Sequence, residues 1–269
     1  MPLLALLAVL AYLPALSFPF IEDDYPNIAQ ALEYGSPSGW TGMAGDAINR
    51  PRATSFLYLY WLHALAGMNP LPFYAAGIAL HAVNTWLVFA LGRWRLLGYG
   101  VSAWAAAFFA IYEGHQEAVM WISACNELLL FFFGALSLYC WLRFLEPPGG
   151  RRWYWAALAA FALALLSKES AVILLVLLAV AAATTAPRKM PLLAPFAVLG
   201  AAAVLSILGT QAYSGRFQDG SFVLAAPFWR TWANSFPRLF WIWGLVAVVA
   251  LLAWKPPHYR RILALGGFW

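Results

Sequence analysis

Runs of apolar residues separated by short polar breaks extend along almost the whole chain. A helix of about 20 apolar residues crosses the roughly 30 Å hydrocarbon core of a bilayer, so such runs are typical of transmembrane helices. The pattern therefore predicts an all-α, polytopic transmembrane helical bundle with about eight spans. The predicted spans cover residues 1–20, 71–91, 97–112, 127–144, 153–166, 171–184, 190–208 and 239–254.

Shorter runs complete the predicted organisation. The run at 53–67 is shorter than a span requires, so we interpret it as a juxtamembrane helix on the outer surface. Residues 26–34 have a proline near their start and a glycine after their end, which predicts a short helix. The run at 262–269 is too short to cross a bilayer, so it either folds along the inner face or begins a ninth span in a truncated or partial chain, and we favour the second interpretation. The first run also has a second interpretation, a signal peptide, because Ala15-x-Ser17 resembles a cleavage site.

Composition excludes a soluble fold. Of the 269 residues, 64% are apolar or aromatic and 10% are charged, whereas soluble domains contain about 45–50% and about 25%. A soluble protein of this length needs a polar outer shell, and this sequence lacks the residues to build one. We therefore expect a single integral membrane domain covering residues 1–269.

The few charged residues predict how the domain is oriented. Ten Lys and Arg residues fall in one set of breaks, and ten of the 11 acids fall in the other. Cytoplasmic loops carry an excess of Lys and Arg, so the acidic segments at 21–52, 113–126 and 209–238 are predicted to be extracytoplasmic. The net charge of +5 comes without a basic run that contains interleaved aromatics, so no nucleic-acid partner is expected.

Acidic residues at the outer ends of spans are the first candidates for chemistry. Glu22-Asp23-Asp24 directly follows the first run, and Glu117 lies two residues after His115 in the next outer segment. Neighbouring carboxylates suit general-base catalysis or weak binding of a divalent metal. The alternative is that the acidic cluster fixes topology and caps the helix at 26–34, while Glu117 caps another helix and His115 sits at headgroup level.

Cations on the outer side form the second group of candidates. Arg50, Arg52 and Lys168 lie in predicted outer segments, against the general trend, and Lys168 is followed by Glu169. Cations in such places can hold a phosphate or another anionic headgroup. Alternatively, Lys168 pairs with Glu169, and the arginines meet lipid phosphates.

Two polar residues inside the second predicted span have a structural interpretation. His81 and Asn84 are one helical turn apart. Polar side chains inside spans commonly hydrogen-bond to a neighbouring helix, so we predict that these two residues fix helix packing.

Taken in order, these features resemble the GT-C membrane glycosyltransferases. The resemblance is greatest to the branch that contains the protein O-mannosyltransferases, the transmembrane-TPR mannosyltransferases and the bacterial aminoarabinose-transferase-like enzymes, and it covers essentially the whole chain. The segments that carry it are Asp23-Asp24, Arg50-Pro51, Gly67-Met68-Asn69-Pro70, Leu80-His81-Ala82-Val83-Asn84, His115-x-Glu117-Ala118-Val119, Trp121-Ile122 and Leu166-Ser167-Lys168-Glu169.

The resemblance implies a hexosyl- or mannosyl-type transferase that takes a sugar from a polyprenyl-phosphate donor and adds it, with inversion, to a protein, lipid or glycan acceptor. It implies that Asp23 or Asp24 is the catalytic base and that Glu117 lines the same cavity. Lys168, Arg50 or Arg52 would stabilise the departing lipid phosphate. The relatives with TPR repeats have a Gly-Arg-Ala-Asp-like run where this chain has residues 124–127, so the arginine of that run is missing here.

Two other functions remain open at this stage. A transporter or flippase of lipid-linked intermediates predicts acids and cations that face one another near the middle of the membrane. A catalytically silent, truncated relative would act as a structural subunit. For the enzyme, we expect a multi-pass location in a bacterial cell membrane, with the active site on the extracytoplasmic side.

Overall fold

A computed structural model describes residues 2–46, 48–92, 98–208, 244–255, 259–260 and 263. All regular secondary structure in these residues is helical, as predicted. The chain divides into two compact units, Met1–Ser206 and Ile207–Trp269. The predicted outer loop at 209–238 and nearly all of the run at 262–269 lie outside the described residues.

Twelve α-helices are present in the described part of the chain. They are α1 (Pro2–Tyr12), α2 (Asp24–Tyr34), α3 (Trp40–Gly45), α4 (Ala53–Ala66), α5 (Pro70–Gly92), α6 (Gly98–Ile111), α7 (Gln116–Met120), α8 (Cys125–Leu145), α9 (Arg151–Leu165), α10 (Leu174–Thr185), α11 (Ala194–Leu208) and, in the second unit, α12 (Gly244–Trp254). Short 3-10 helices occupy Leu13–Ser17, Arg50–Arg52, Glu113–His115, Ile122–Ala124, Glu169–Ile173 and Pro187–Leu193.

The prediction of about eight spans is wrong in number. In the described residues, three helical segments are long and apolar enough to cross a membrane: Pro70–Gly92, Ile122–Leu145 and Pro187–Ile207. The other apolar helices are shorter, and α9 has only 15 residues. Fifteen residues of α-helix extend over about 22 Å, which is less than the roughly 30 Å hydrocarbon core. Counting apolar runs of this length as complete spans therefore overestimates the number.

Helix α5 lies at the centre of the first unit, where it packs against α1, α6 and α8. The buried His81 Nε2 lies 3.1 Å from the backbone oxygen of Ala110 in α6, and the buried Asn84 Nδ2 donates to the oxygen of Leu128 in α8 at 3.0 Å. The predicted hydrogen bonds between helices are therefore confirmed.

The first predicted outer loop folds into a small helical layer. The helix predicted at 26–34 is confirmed as part of α2, and the helix predicted at 53–67 is α4. These two helices pack against each other, and Gly35 at the end of α2 permits the close approach. A Cβ atom on Gly35 would overlap the Cβ of Tyr60 in α4.

Long-range hydrogen bonds identify the two ends of the first unit. At one end, the Tyr12 hydroxyl donates to the oxygen of Tyr112 at 3.1 Å, and the Tyr74 hydroxyl donates to the oxygen of Pro19 at 3.0 Å. At the other end, Lys189 Nζ donates to the oxygen of Phe144, the penultimate residue of α8, at 2.7 Å. Within the first unit, the acidic breaks at 21–52 and 113–126 thus lie at one end, and the cationic breaks around Arg151 and Lys189 lie at the other.

Candidate functional site

Asp24 is the most constrained acid of the predicted site. It is the first residue of α2 and is fully buried. Its Oδ2 accepts a hydrogen bond from the backbone N–H of Ile21 at 2.9 Å, and its Oδ1 accepts from the backbone N–H and the hydroxyl of Ser123 at 2.9 and 2.7 Å. A buried carboxylate needs such partners. Asp24 therefore fastens the start of α2 to the segment at 113–126, which the sequence predicts to be extracytoplasmic.

Asp23 has the opposite surroundings although it precedes Asp24 directly. It is exposed at the N-terminal end of α2, and its side chain makes no capping hydrogen bond to that helix. Its backbone oxygen accepts from Nδ2 of Asn27 at 2.8 Å, which fixes the main chain and leaves the carboxylate open to solvent. Glu22 is exposed as well. A carboxylate with open access is suited to receive a proton.

Ser123 is a site residue that the sequence reasoning missed. Its hydroxyl donates to Asp24 and accepts a hydrogen bond from Nδ2 of Asn27 at 3.0 Å. One serine thus joins both ends of the first turn of α2 to the segment that also contains Glu117. The only signal in the sequence is a hydroxyl residue within an apolar run, directly after Trp121-Ile122.

Glu117 and His115 lie in the same outer segment but face different surroundings. Glu117 is exposed in the first turn of α7. The His115 ring packs among aromatic rings, with its centroid 4.3 Å from that of Phe109 and 5.5 Å from that of His81. Burial, with a smaller effect from His81, lowers the pKa of His115 to about 4. This histidine is therefore neutral near pH 7.

Lys168 pairs with a partner from another helix. Its Nζ forms an ion pair with Oε1 of Glu127 in the first turn of α8, and not with the adjacent Glu169. The side chain of Lys168 is 29% exposed and that of Glu127 is 41% exposed. The pair lies near the start of the apolar helical segment Ile122–Leu145 and not at its middle, unlike the mid-membrane arrangement that a transporter predicts.

The segment that contains Lys168 is joined to the end of the first outer loop. The Thr54 hydroxyl donates to Oγ of the buried Ser167 at 2.8 Å, and the Thr54 backbone N–H donates to the oxygen of Leu166 at 3.1 Å. These bonds lie beside Arg50 and Arg52, which immediately precede α4. The outward cations of the sequence therefore come from two neighbouring segments.

Arg50 and Arg52 follow a turn that Asp46 organises. The Asp46 carboxylate accepts from the Tyr34 hydroxyl at 3.0 Å and from Nδ2 of Asn49 at 2.8 Å. Partial burial raises the pKa of Asp46, but the hydrogen bonds from Asn49 and Tyr34 outweigh it and lower this pKa below its ordinary value. Arg50 is half-buried and donates from Nη1 to the oxygen of Ala44 at 2.9 Å, whereas Arg52 is exposed.

The predicted site residues thus occupy one end of the bundle in two linked groups. Hydrogen bonds join Asp24 to the segment of Glu117, and others join the segment of Arg52 to that of Lys168. Helix α4 packs against both α2 and α8. Among the described residues, no group of three or more His, Cys, Asp and Glu side chains is arranged to hold a metal ion.

Comparison with known proteins identifies the class of protein. Residues 52–213 match the family of dolichyl-phosphate-mannose-protein mannosyltransferases, and the chain belongs to this family. The match includes Arg52, Glu117, Lys168 and Glu169. The family consists of membrane mannosyltransferases whose donor is a lipid-phosphate mannose, which confirms the resemblance found in the sequence.

The individual proteins that match this chain are only distantly similar to it. The chain is 35% identical over 128 residues to the protein O-mannosyl-transferase Tmtc1 of Drosophila melanogaster, a match that covers 42% of this chain and 14% of the relative. It is 28% identical over 165 residues to the protein O-mannosyl-transferase TMTC2 of mouse and of human, covering 55% of this chain and 19% of each relative. The matches thus cover less than a fifth of these relatives' lengths. No solved structure matches the chain.

Proposed function

We propose that this protein transfers a sugar, mannose by family membership, from a polyprenyl-phosphate donor to a hydroxyl acceptor on the extracytoplasmic side of the membrane. The observation that carries the proposal is the contrast between two adjacent carboxylates. Asp24 is buried and fully hydrogen-bonded, whereas Asp23 is exposed with a solvent-facing carboxylate at the same end of the bundle as Lys168.

Asp23 is the catalytic base in this proposal. A general base needs an open lone pair within reach of the acceptor, and the exposed carboxylate of Asp23 offers one. Both oxygens of Asp24 already accept hydrogen bonds, so Asp24 positions α2 and does not take the proton. Glu117 is a second exposed carboxylate on the segment to which Asp24 is tied, and we assign it to acceptor binding.

Cations assist the departure of the lipid phosphate. Lys168 lies at a helix end with its side chain partly exposed, and Arg50 and Arg52 lie on the neighbouring segment. Positive charge placed where negative charge develops lowers the barrier to transfer. Glu169 follows Lys168 and remains a candidate contact to the sugar. The aromatic packing of His115 favours a role in shaping the outer segment.

The chemistry is a single displacement. Asp23 removes the proton from the acceptor hydroxyl while the hydroxyl oxygen attacks the anomeric carbon of the sugar. The bond between that carbon and the phosphate oxygen breaks, and its electron pair leaves with the lipid phosphate. Attack opposite to the leaving group inverts the configuration at the anomeric carbon.

The family implies a protein acceptor, and we propose a seryl or threonyl hydroxyl as the group that attacks. We also propose that residues 1–269 form part of one multi-pass domain in a bacterial cell membrane. The support for its orientation is the gathering of acids at one end of the first unit and of cations at the other.

The test is sugar transfer by the full chain in proteoliposomes. We expect mannose to pass from radiolabelled polyprenyl-phosphate mannose to a Ser/Thr-containing peptide, and not from a nucleotide-linked mannose. Adding a chelator to the same assay shows whether the exposed outer carboxylates use a divalent ion. Absence of transfer while the labelled lipid still binds would favour the silent structural subunit. Movement of the intact labelled lipid between leaflets, without transfer, would favour the flippase.

A further inference from the structure

An apolar groove of about 400 Å³ lies between α4, α8 and α9. Its walls include Leu57 and Trp61 from α4, Leu129 and Phe133 from α8, and Leu163 from α9. Concave apolar surfaces of this size bind hydrocarbon ligands well. In a membrane protein, a groove with such walls accepts a lipid chain without loss of hydrogen bonds.

Charged residues lie close to the walls of this groove. Lys168 is ion-paired with Glu127 in the first turn of α8, the helix that provides Leu129 and Phe133 to the groove. Thr54 is itself a wall residue and hydrogen-bonds to Ser167, the neighbour of Lys168. The region is therefore amphipathic. Apolar walls lie beside the ion pair of Lys168 and Glu127, and once Glu127 is released the amino group of Lys168 is free to bind a phosphate attached to a hydrocarbon chain.

Another anion can readily replace Glu127 as the ion-pair partner of Lys168. Glu127 and Lys168 are both partly exposed, and partly exposed ion pairs contribute little to stability, so the bond between them is weak. A phosphate offers several acceptor oxygens in place of one carboxylate, so it competes well for an amino group.

We propose that the groove between α4, α8 and α9 binds the hydrocarbon chain of the polyprenyl-phosphate donor. In this proposal Glu127 remains ion-paired with Lys168 until the donor's phosphate replaces Glu127. The identity of the lipid rests on the proposed function. Glu127 is a competitor for the donor in this arrangement, so removing its charge strengthens donor binding.

The first experiment locates the chain. A photoreactive polyprenyl phosphate without sugar is crosslinked to the full chain in proteoliposomes, and the labelled peptides are mapped. We expect labelling of α4, α8 and α9, reduced about fivefold or more by Leu163→Trp, since the larger side chain fills the groove. The matched control is Val83→Trp in a second apolar groove of about 350 Å³ between α1 and α5. Leu163 is 39% exposed and Val83 is 43% exposed, so neither change disturbs a buried core.

The second experiment measures the exchange at Lys168. The lipid concentration that gives half-maximal labelling should fall about threefold or more with Glu127→Gln and rise about tenfold with Lys168→Gln, while Lys168→Arg stays near wild type. Glu33→Gln, which changes an exposed acid on α2, is the control and should have no effect.

Clear outcomes would overturn the proposal. Labelling that is unaffected by Leu163→Trp, or that maps to the second groove, excludes the chain site. Weaker binding after Glu127→Gln shows that Glu127 supports Lys168 and does not compete for it. Because the probe carries no sugar, its failure to label the groove would not contradict the proposed transfer reaction. Labelling of the groove without any sugar transfer would refute only the proposed function.

Discussion

Asp23 and Asp24 are adjacent and chemically identical, and their surroundings separate their roles. Burial and three hydrogen bonds hold Asp24 in place, while Asp23 is exposed. Such a contrast comes from the first turn of α2, where one side chain points toward Ser123 and the preceding one points away. In the proposed site, the residue that fixes α2 and the catalytic base therefore occupy neighbouring positions.

His115 provides a prediction about pH at the residue scale. In the unfolded chain its pKa is near 6.5, whereas burial lowers it to about 4 in the folded protein. Between these values the unfolded state binds more protons, so stability falls as the pH is lowered through this window. We expect His115→Gln to reduce the loss of Tm between pH 7 and pH 4.5 by about 2–4 °C, measured by thermal unfolding in detergent.

The control for this measurement is His63→Gln, which changes a half-buried histidine of α4 outside the aromatic cluster. An equal fall in Tm for the wild type and His115→Gln would contradict the account, because the protonation of His115 would then not be linked to unfolding.

At the residue scale, the sequence predicts which residue types matter better than it predicts their partners. Asp23, Asp24 and Lys168 stand out because charges are scarce. Glu127 is 41 positions from Lys168, and Ser123 is 99 positions from Asp24. Which of them meet depends on how the helices cross, and no local pattern encodes that. The pairing of Lys168 with Glu169, suggested by adjacency, is for this reason not the one observed.

At the scale of elements, the packing of α2 on α4 positions the site. Asp23 directly precedes helix α2 and Asp24 is its first residue. Helix α4 follows the two arginines Arg50 and Arg52, and the two helices meet where Gly35 lacks a side chain. Any increase in their separation moves the acids relative to the cations.

Gly35→Ala tests this contact. The added Cβ would overlap the Cβ of Tyr60 and lie 2.6 Å from the oxygen of Ala31, so α2 must shift. We expect a loss of about 1–3 kcal/mol in unfolding free energy, together with reduced transfer. Gly45→Ala in α3 is the matched control, because nothing lies within 4 Å of its added Cβ. Equal behaviour of the two variants in thermal unfolding would contradict the close approach.

Elements are predictable from the sequence where the local signals are strong. The proline and glycine that bound residues 26–34 predict α2, and the short run at 53–67 predicts α4. The number of spans is overestimated because hydropathy does not show where a helix ends. The run at 171–184 begins within the 3-10 helix Glu169–Ile173, so α10 has only 12 residues.

At the scale of the whole molecule, charge separates the two ends of the first unit. The end that contains Asp23, Glu117 and Lys168 is fastened by hydrogen bonds between outer segments. The opposite end contains Arg143 and Arg152, whose guanidinium carbons lie 5.4 and 5.3 Å from the centroid of the Trp153 ring. This partition is predictable, since it follows from counting charges in the breaks.

Cysteine labelling tests the orientation. The native Cys125 and Cys140 are both buried, so their background reaction is low. With a membrane-impermeant maleimide, Glu113→Cys should react in sealed, right-side-out vesicles, whereas Arg151→Cys should react only after permeabilisation. Both positions are exposed. Reaction of both from the same side would contradict the orientation and remove the site from the extracytoplasmic face.

The central claim is that Asp23 takes the proton of the acceptor hydroxyl, while the hydrogen bonds of Asp24 fix the position of α2. Its most direct test is the kcat for transfer from polyprenyl-phosphate mannose, measured together with Tm, for Asp23→Asn and Asp24→Asn. We predict that Asp23→Asn lowers kcat about 100-fold or more and leaves Tm nearly unchanged, since it removes a general base from an exposed position. Asp24→Asn should lose about 1–3 kcal/mol of stability. Near wild-type kcat in Asp23→Asn would contradict the account.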